Sequence, residues 1–245
     1  MARLHAPAPE GCPWCLNQTT ETLAGELLKE AYEAADAAKH GGRALQEELG
    51  DVLLIILSIA HLGATSQVDL PTLLTELHQK VVRRHPHIFG DTVASTTQDV
   101  LRNWDAVKRD ERDAESSILE GIPSSMPALM RADEIQQRVA RVGFDWPDVD
   151  GVLAKIREEI EELQTADSPE RKAEEMGDLL FALANLARWH GISPERALHD
   201  ANTKFAHRFA SVERQCRERG GRPEDFGLEE LDAMWNVAKR EEREG

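Results

Sequence analysis

Cysteine is scarce in this 245-residue chain: there are three, an odd number that does not suggest a disulfide framework. Long apolar runs are missing too. The longest, Val52 to Leu57 with a weaker extension to Leu62, falls short of the roughly 20 residues a membrane span needs. Met1 to Gly11 carry no apolar segment of signal-peptide length, so a cytoplasmic protein is expected. Basic charge is also in short supply. Lys and Arg number 29 against 45 Asp and Glu, a net charge of −16. That balance leaves no basic surface for nucleic acid. An anionic ligand would have to be met by local Lys and Arg or by a metal cation. Alternating strand patterns are absent, and so is the Gly-rich loop of a P-loop mechanism.

The chain repeats itself. Trp104-Asp-Ala-Val-Lys108-Arg-Asp-Glu-Arg112 resembles Trp235-Asn-Val-Ala-Lys239-Arg-Glu-Glu-Arg243. Glu48-Leu-Gly-Asp51 resembles Glu175-Met-Gly-Asp178, and the pair Lys80/Arg84 is matched by Lys204/Arg208. The order is the same in both halves, at offsets of 131, 127 and 124. Three matches in register argue for two copies of one domain. The Pro-rich stretch 121–127 reads as a linker, giving expected copies at 1–120 and 128–245.

Helical periodicity dominates both copies. The first predicts helices over about 20–40, 43–62, 70–84 and 98–113; the second over about 127–141, 149–166, 169–190, 194–219 and 228–243. Pro71, Pro169 and Pro194 fall in first turns, where a missing N–H costs nothing. Gly41-Gly42 and Gly220-Gly221 fit helix stops. The fold class is all-α, each copy a small bundle. The helix over Val52–Leu62 is apolar nearly all round, so burial on most sides is expected, through pairing of the copies or dimerisation.

The chemistry lies in the carboxylates. Glu158, Glu159 and Glu162 share one predicted helix; Glu175 and Asp178 lie one turn apart on the next. Acidic residues at helical spacing usually form a solvated face. Here Asp178 runs directly into Leu179-Leu-Phe181, so its helix is entering a core. Gly177, which costs about 1 kcal/mol in a helix relative to Ala, suggests close approach at that point. Four carboxylates in a small volume repel unless a cation sits among them. Oxygen-only ligands favour Mg²⁺, with Mn²⁺ as a substitute.

These residues resemble the MazG family of all-α nucleoside triphosphate pyrophosphohydrolases, in its two-domain form. The likeness runs through Gly11-Cys-Pro-Trp14, Lys29-Glu-Ala-Tyr-Glu33, Glu48-Leu-Gly-Asp51, Arg83-Arg-His-Pro-His-Ile-Phe89 and Leu129-Met-Arg-Ala132. It continues through Val142-Gly-Phe-Asp-Trp146, Glu158-Glu-Ile-Glu-Glu162, Glu175-Met-Gly-Asp-Leu-Leu-Phe181 and Ala201-Asn-Thr-Lys-Phe205. It implies two tandem MazG-like bundles. It also implies hydrolysis of nucleoside triphosphates to monophosphate and pyrophosphate with broad base tolerance, in nucleotide-pool house-cleaning or regulation. The implied metal site is Glu158, Glu159, Glu162, Glu175 and Asp178. Asn202, Lys204, Arg208, Trp235 and Lys239 are the implied substrate contacts, with Lys204 and Arg208 gripping phosphates and Trp235 able to stack on a base. Glu159 or Glu162 would activate water. By the same analogy a homodimer is expected.

The first copy departs from the pattern. Lys29-Glu30 stands where two glutamates are expected, and an ammonium there removes a ligand and repels a cation. Glu30, Glu33, Glu48, Asp51, Lys80, Arg84, Trp104 and Lys108 remain, so a degenerate site is expected. Two alternative readings compete with the enzyme. A helical adaptor leaves the intact second carboxylate set without a use. A di-iron bundle needs Glu-x-x-His, where this chain has Glu-x-x-Asp. Cys12-Pro-Trp-Cys15 lacks the α/β context of a redox dithiol and the further ligands of a zinc site. His85-Pro-His87, after a basic helix end, reads as an anchor for that end.

Overall fold

A computed structural model describes residues 1–63, 68–96, 99–100, 103–104, 107 and 117–244. The chain divides into two compact units, Met1–Ala114 and Glu115–Gly245. Residues 117–120, just before the Pro-rich stretch, belong with the second unit. There Arg138 Nη1 donates to the carbonyls of Ile118 (3.2 Å) and Glu120 (2.8 Å).

The first unit contains α1 (Pro13–Leu16), α2 (Thr20–Ala37), α3 (Gly42–Leu62), α4 (Leu70–Arg84) and α5 (Pro86–Phe89). Thr19 caps α2 by accepting from the Thr22 N–H, and Asp69 caps α4 by accepting from the Thr72 N–H. Helices α2 and α3 pack as a hairpin, and α4 leans on α3. The helix expected at 98–113 falls largely outside the described residues, as does Lys108; residues 99–100, 103–104 and 107 are helical.

The second unit contains α6 (Ala128–Ala140), α7 (Val149–Thr165), α8 (Pro169–Trp189), α9 (Pro194–Glu218), a 3₁₀ turn (Pro223–Asp225) and α10 (Leu228–Glu244). Asp148 caps α7 and Ser168 caps α8. The three residues between α7 and α8 force an antiparallel hairpin, the closest helix pair of the unit. Helix α6 packs on α8, and α9 pairs with α10 while touching α6 and α8. Val212, Cys216 and Met234 form a core at the α9–α10 contact, with Phe226, Leu231 and Trp235 packed around it. Among the described residues every regular element is helical and no strand occurs, which fits the all-α expectation.

Within its unit helix α3 is covered on part of its surface, which leaves the remainder for the pairing or dimerisation expected above. Ile55, Ser58 and Ala60 are buried, while Leu49, Leu53 and Leu54 stay exposed. One expectation requires correction. Gly177 does not mark a close approach within its unit: a Cβ there would meet no atom within 4 Å.

The α9–α10 core gives a stability prediction. Met234 is 1% exposed, with its sulfur 3.6 Å from Cys216 Sγ. Met234→Ala should cost about 2–5 kcal/mol. In chemical denaturation followed by circular dichroism, the transition of the second unit should shift to lower denaturant, leaving that of the first in place.

Candidate functional site

The α7–α8 hairpin sets the acidic residues face to face. Carboxylate oxygens of Glu159, Glu175 and Asp178 lie within 4.8 Å of one another, and so do those of Glu158, Glu159 and Glu162. Glu159 belongs to both groups. It is 3% exposed and Glu175 is 4% exposed, whereas Glu158, Glu162 and Asp178 are open to solvent.

Burying two carboxylates side by side is costly, and each has a cation one turn before it on its own helix. Lys155 Nζ lies 2.7 Å from both Glu158 Oε1 and Glu159 Oε1. Those two hydrogen bonds, to Glu158 first and then Glu159, hold the Lys155 ammonium well above its ordinary pKa. Arg171 Nη2 lies 2.8 Å from Glu175 Oε1. Compensation is incomplete. Burial pushes the Glu175 pKa up; Arg171 opposes the shift, while Glu162 and Glu159 add to it. Glu159 Oε2 is buried with no hydrogen-bond partner. An oxygen-only donor set with an unpaired buried acceptor at its centre fits a hard divalent cation.

The same hairpin opens onto a cavity of about 660 Å³ that includes Glu159 and Asp178 in its wall. Its other walls are largely apolar and come from α6, α7, α8 and the loop before α7. That loop turns at Gly143, whose φ of +87° suits glycine. It then lays the Trp146 ring over Gly151, where a Cβ would come within 2.6 Å of Trp146 Cε3. Arg188 fastens the loop: Nη2 is 2.5 Å from Asp145 Oδ1, and Nε donates to Asn185 Oδ1 at 3.0 Å. Gln136, 4% exposed, donates from Nε2 to the Phe181 carbonyl at 2.8 Å.

The expected substrate contacts are not brought to this cavity within the unit. Lys204, Arg208, Trp235 and Lys239 lie on α9 and α10, and none of them lines it. Arg208 instead pairs with Glu242, Nε to Oε2 at 2.7 Å, and its guanidinium lies 5.8 Å from the Trp235 ring centre. Trp235 also packs on Phe205 at 4.9 Å. The α9–α10 pairing draws Arg208 and Trp235 into its own seam; Asn202 and Lys204 stay exposed on α9. Conversely, the sequence reading assigned no role to Gln136, Phe144, Lys155, Asn185 or Arg188. The loop motif Val142–Trp146 was the one visible signal, since single amides on amphipathic helices look like surface.

In the first unit, Glu30, Glu33 and Glu48 come within 4.8 Å. Lys29 Nζ lies 3.3 Å from both Glu30 Oε1 and Glu33 Oε1, occupying the cluster with a protein cation. Burial, then Glu33, Asp51 and Glu30, raise the Glu48 pKa. Lys80 lines a separate shallow cavity on α4. At the end of α4, His85 Nδ1 is 2.7 Å from the Val81 carbonyl and its ring meets Trp104 edge-on at 5.5 Å, so His85 anchors that end. Cys12, Cys15 and Cys216 are free thiols.

Fold and site together define a class: tandem all-α bundles in which a half-buried carboxylate cluster meets a ligand-sized cavity. Comparison with known proteins then supplies the family. Residues 18–89 match the MazG nucleotide pyrophosphohydrolase domain, and residues 134–204 match the phosphoribosyl-ATP pyrophosphohydrolase domain. The chain is 41% identical to the nucleoside triphosphate pyrophosphohydrolase of Escherichia coli strain K12, over 99% of this chain and 95% of that protein. It is 38% identical to the nucleoside triphosphate pyrophosphohydrolase/pyrophosphatase MazG of Thermotoga maritima, over 95% of this chain and 91% of the relative. The chain belongs to the MazG family of nucleoside triphosphate pyrophosphohydrolases, with two MazG-like domains in tandem.

The raised Glu175 pKa has a testable sign. A carboxyl held above its ordinary 4.5 loses folded-state stability as pH rises from 4.5 through the raised value. In chelator, Glu175→Gln should therefore melt higher than the parent at neutral pH, with the difference vanishing near pH 4. Thermal melts across pH 4–8 measure it.

Proposed function

We propose that this chain hydrolyses nucleoside triphosphates to nucleoside monophosphate and pyrophosphate, at the second unit's carboxylate cluster. The observation that carries the reading is the burial of Glu159 and Glu175 against one another, with Asp178 alongside. Such a cluster suits a divalent cation better than solvent. Mg²⁺ is the proposed cofactor, held by Glu158, Glu159, Glu162, Glu175 and Asp178, with Mn²⁺ able to replace it. When bound, it supplies charge neutralisation to the phosphate oxygens.

The protein's share is positioning. These carboxylates would hold the cation, and with it bound they would fix the triphosphate tail with the α-phosphorus open to water. Glu162, exposed one turn after the buried Glu159, takes the proton from that water as its oxygen bonds to phosphorus and the bond to the β-phosphate oxygen breaks. Pyrophosphate leaves, and the monophosphate carries the new oxygen. Glu159, common to both acidic groups, holds the arrangement together.

The reading includes a homodimer. Met176, Leu180 and Leu183 form an exposed apolar stripe on α8, and Gly177 beside them has open space where a Cβ would stand. A second copy on this stripe would cover it. Lys204, Arg208 and Lys239 act on phosphates in this scheme when the second copy presents α9 and α10 to the cavity. The first unit, with Lys29 across its acidic cluster, is assigned little or no turnover. The role that fits a base-tolerant activity is house-cleaning or regulation of the cytoplasmic nucleotide pool.

The test is divalent-dependent release of pyrophosphate and monophosphate, one to one, from a nucleotide panel. Glu159→Ala should lower turnover by about a hundredfold or more with its circular dichroism unchanged. Glu30→Ala should alter turnover by less than about twofold, as expected of a change remote from a site's chemistry. Undiminished turnover in Glu159→Ala would overturn the assignment.

A further inference from the structure

Two thiols of the first unit have no part in the hydrolytic reading above. The all-α setting of Cys12-Pro-Trp-Cys15 argued against a redox dithiol, yet the structure builds the local geometry that such a pair requires. Cys12 is the N-cap of α1, Pro13 occupies the first helical position and Cys15 the third. The Leu16 N–H donates to the Cys12 carbonyl at 3.0 Å, closing a full helical turn over the pair. Across such a turn the Cα atoms of residues three apart stand about 5 Å from one another. That lies inside the roughly 4.4–6.8 Å that a disulfide bridges. The Cys12 N–H donates to the Leu4 carbonyl at 2.8 Å, so the segment before α1 holds the turn in place.

The two thiols also differ in the way that thiol–disulfide exchange needs. Cys15 is 9% exposed, whereas Cys12 is only half-buried. The Cys15 N–H, the Cys15 side chain and the Trp14 N–H all hydrogen-bond to the Cys12 sulfur and hold its pKa below that of an ordinary thiol. Burial first, and then its hydrogen bond to Cys12, push the Cys15 thiol up. The outer sulfur is thus the nucleophile, and the inner one stays protonated beside it. In a reducing compartment a pair of this kind cycles between its two states rather than serving as a staple.

We propose that Cys12 and Cys15 form a reversible redox site, in which Cys12 attacks low-molecular-weight disulfides of the glutathione class and Cys15 resolves the adduct. In the first step the Cys12 thiolate bonds to one sulfur of the small disulfide, whose S–S bond breaks. The departing thiolate takes up a proton. The Cys15 thiol then gives up its proton, attacks the Cys12 sulfur and expels the second small thiol. Two electrons pass from the protein pair to the small disulfide, which leaves one Cys12–Cys15 bond and two small thiols. Because Cys15 lies against Cys12 within one turn, the adduct is closed from inside the chain.

The test uses the full chain in chelator at pH 7, equilibrated with graded ratios of oxidised to reduced glutathione, then denatured and alkylated. Mass spectrometry should show Cys12 and Cys15 losing alkylation together, with two hydrogens lost and no glutathione attached. Excess reduced glutathione should restore both. Cys216, 0% exposed, is the internal standard. On the native reduced chain, iodoacetamide should modify Cys12 on the order of tenfold faster than Cys15. Cys15→Ser should retain one glutathione on Cys12 as a stable adduct, and Cys12→Ser should leave Cys15 unmodified over the same interval. The parent measurements need no variant, so they decide the matter even where a variant folds poorly. Two thiols that remain alkylatable at every ratio overturn the proposal, as does a glutathione adduct that persists in the parent.

Discussion

The second unit is organised around a repulsion. Helices α7 and α8 can pack as a hairpin only by carrying Glu159 and Glu175 into an interior where carboxylates are poorly solvated. Two devices reduce that cost. Lys155 and Arg171 each reach forward one turn along their own helix to the buried carboxylate. The outer acids, Glu158, Glu162 and Asp178, stay in water. Two features remain uncompensated: Glu159 Oε2, buried without a hydrogen-bond partner, and the Glu175 carboxyl, which burial holds above its ordinary pKa. Structural stability alone would favour apolar residues at these two positions.

The first unit keeps the same hairpin but resolves the repulsion differently. In the register of Lys155 it has Glu26, and in the register of Glu158 it has Lys29, so the two signs are exchanged. The lysine then sits inside the acidic row, bonded to Glu30 and Glu33, rather than one turn before it. A cation fixed covalently within the cluster reduces its appetite for a mobile one. The two copies of one frame thus differ in where their positive charges stand relative to the acidic row.

Uncovered apolar surface is the other common constraint. Helix α3 leaves Leu49, Leu53 and Leu54 exposed, and α8 leaves Met176, Leu180 and Leu183 exposed. Both stripes lie on the helix carrying the Glu-x-Gly-Asp motif, and in both the glycine has no neighbour within 4 Å of where a Cβ would stand. The motif helix therefore serves two faces, one acidic toward its hairpin partner and one apolar facing away from it.

Much of this was set by residue order. The 3.6-residue period, capping residues such as Asp148 and Ser168, and prolines in first turns are local signals, so the helices followed from them. The acidic groups followed as well, because i,i+4 spacing puts Glu158 and Glu162 on neighbouring turns whatever surrounds them. Tertiary structure decided what local period cannot encode. It determined that α9 and α10 draw Arg208 and Trp235 into their own seam, and that Gly177 opens onto space. It determined, too, that Gln136 on α6, Asn185 on α8 and the Phe144–Trp146 loop share one cavity. Those relations depend on how separate helices rotate against one another, and a helix's own sequence fixes its apolar stripe but not which neighbour will cover it.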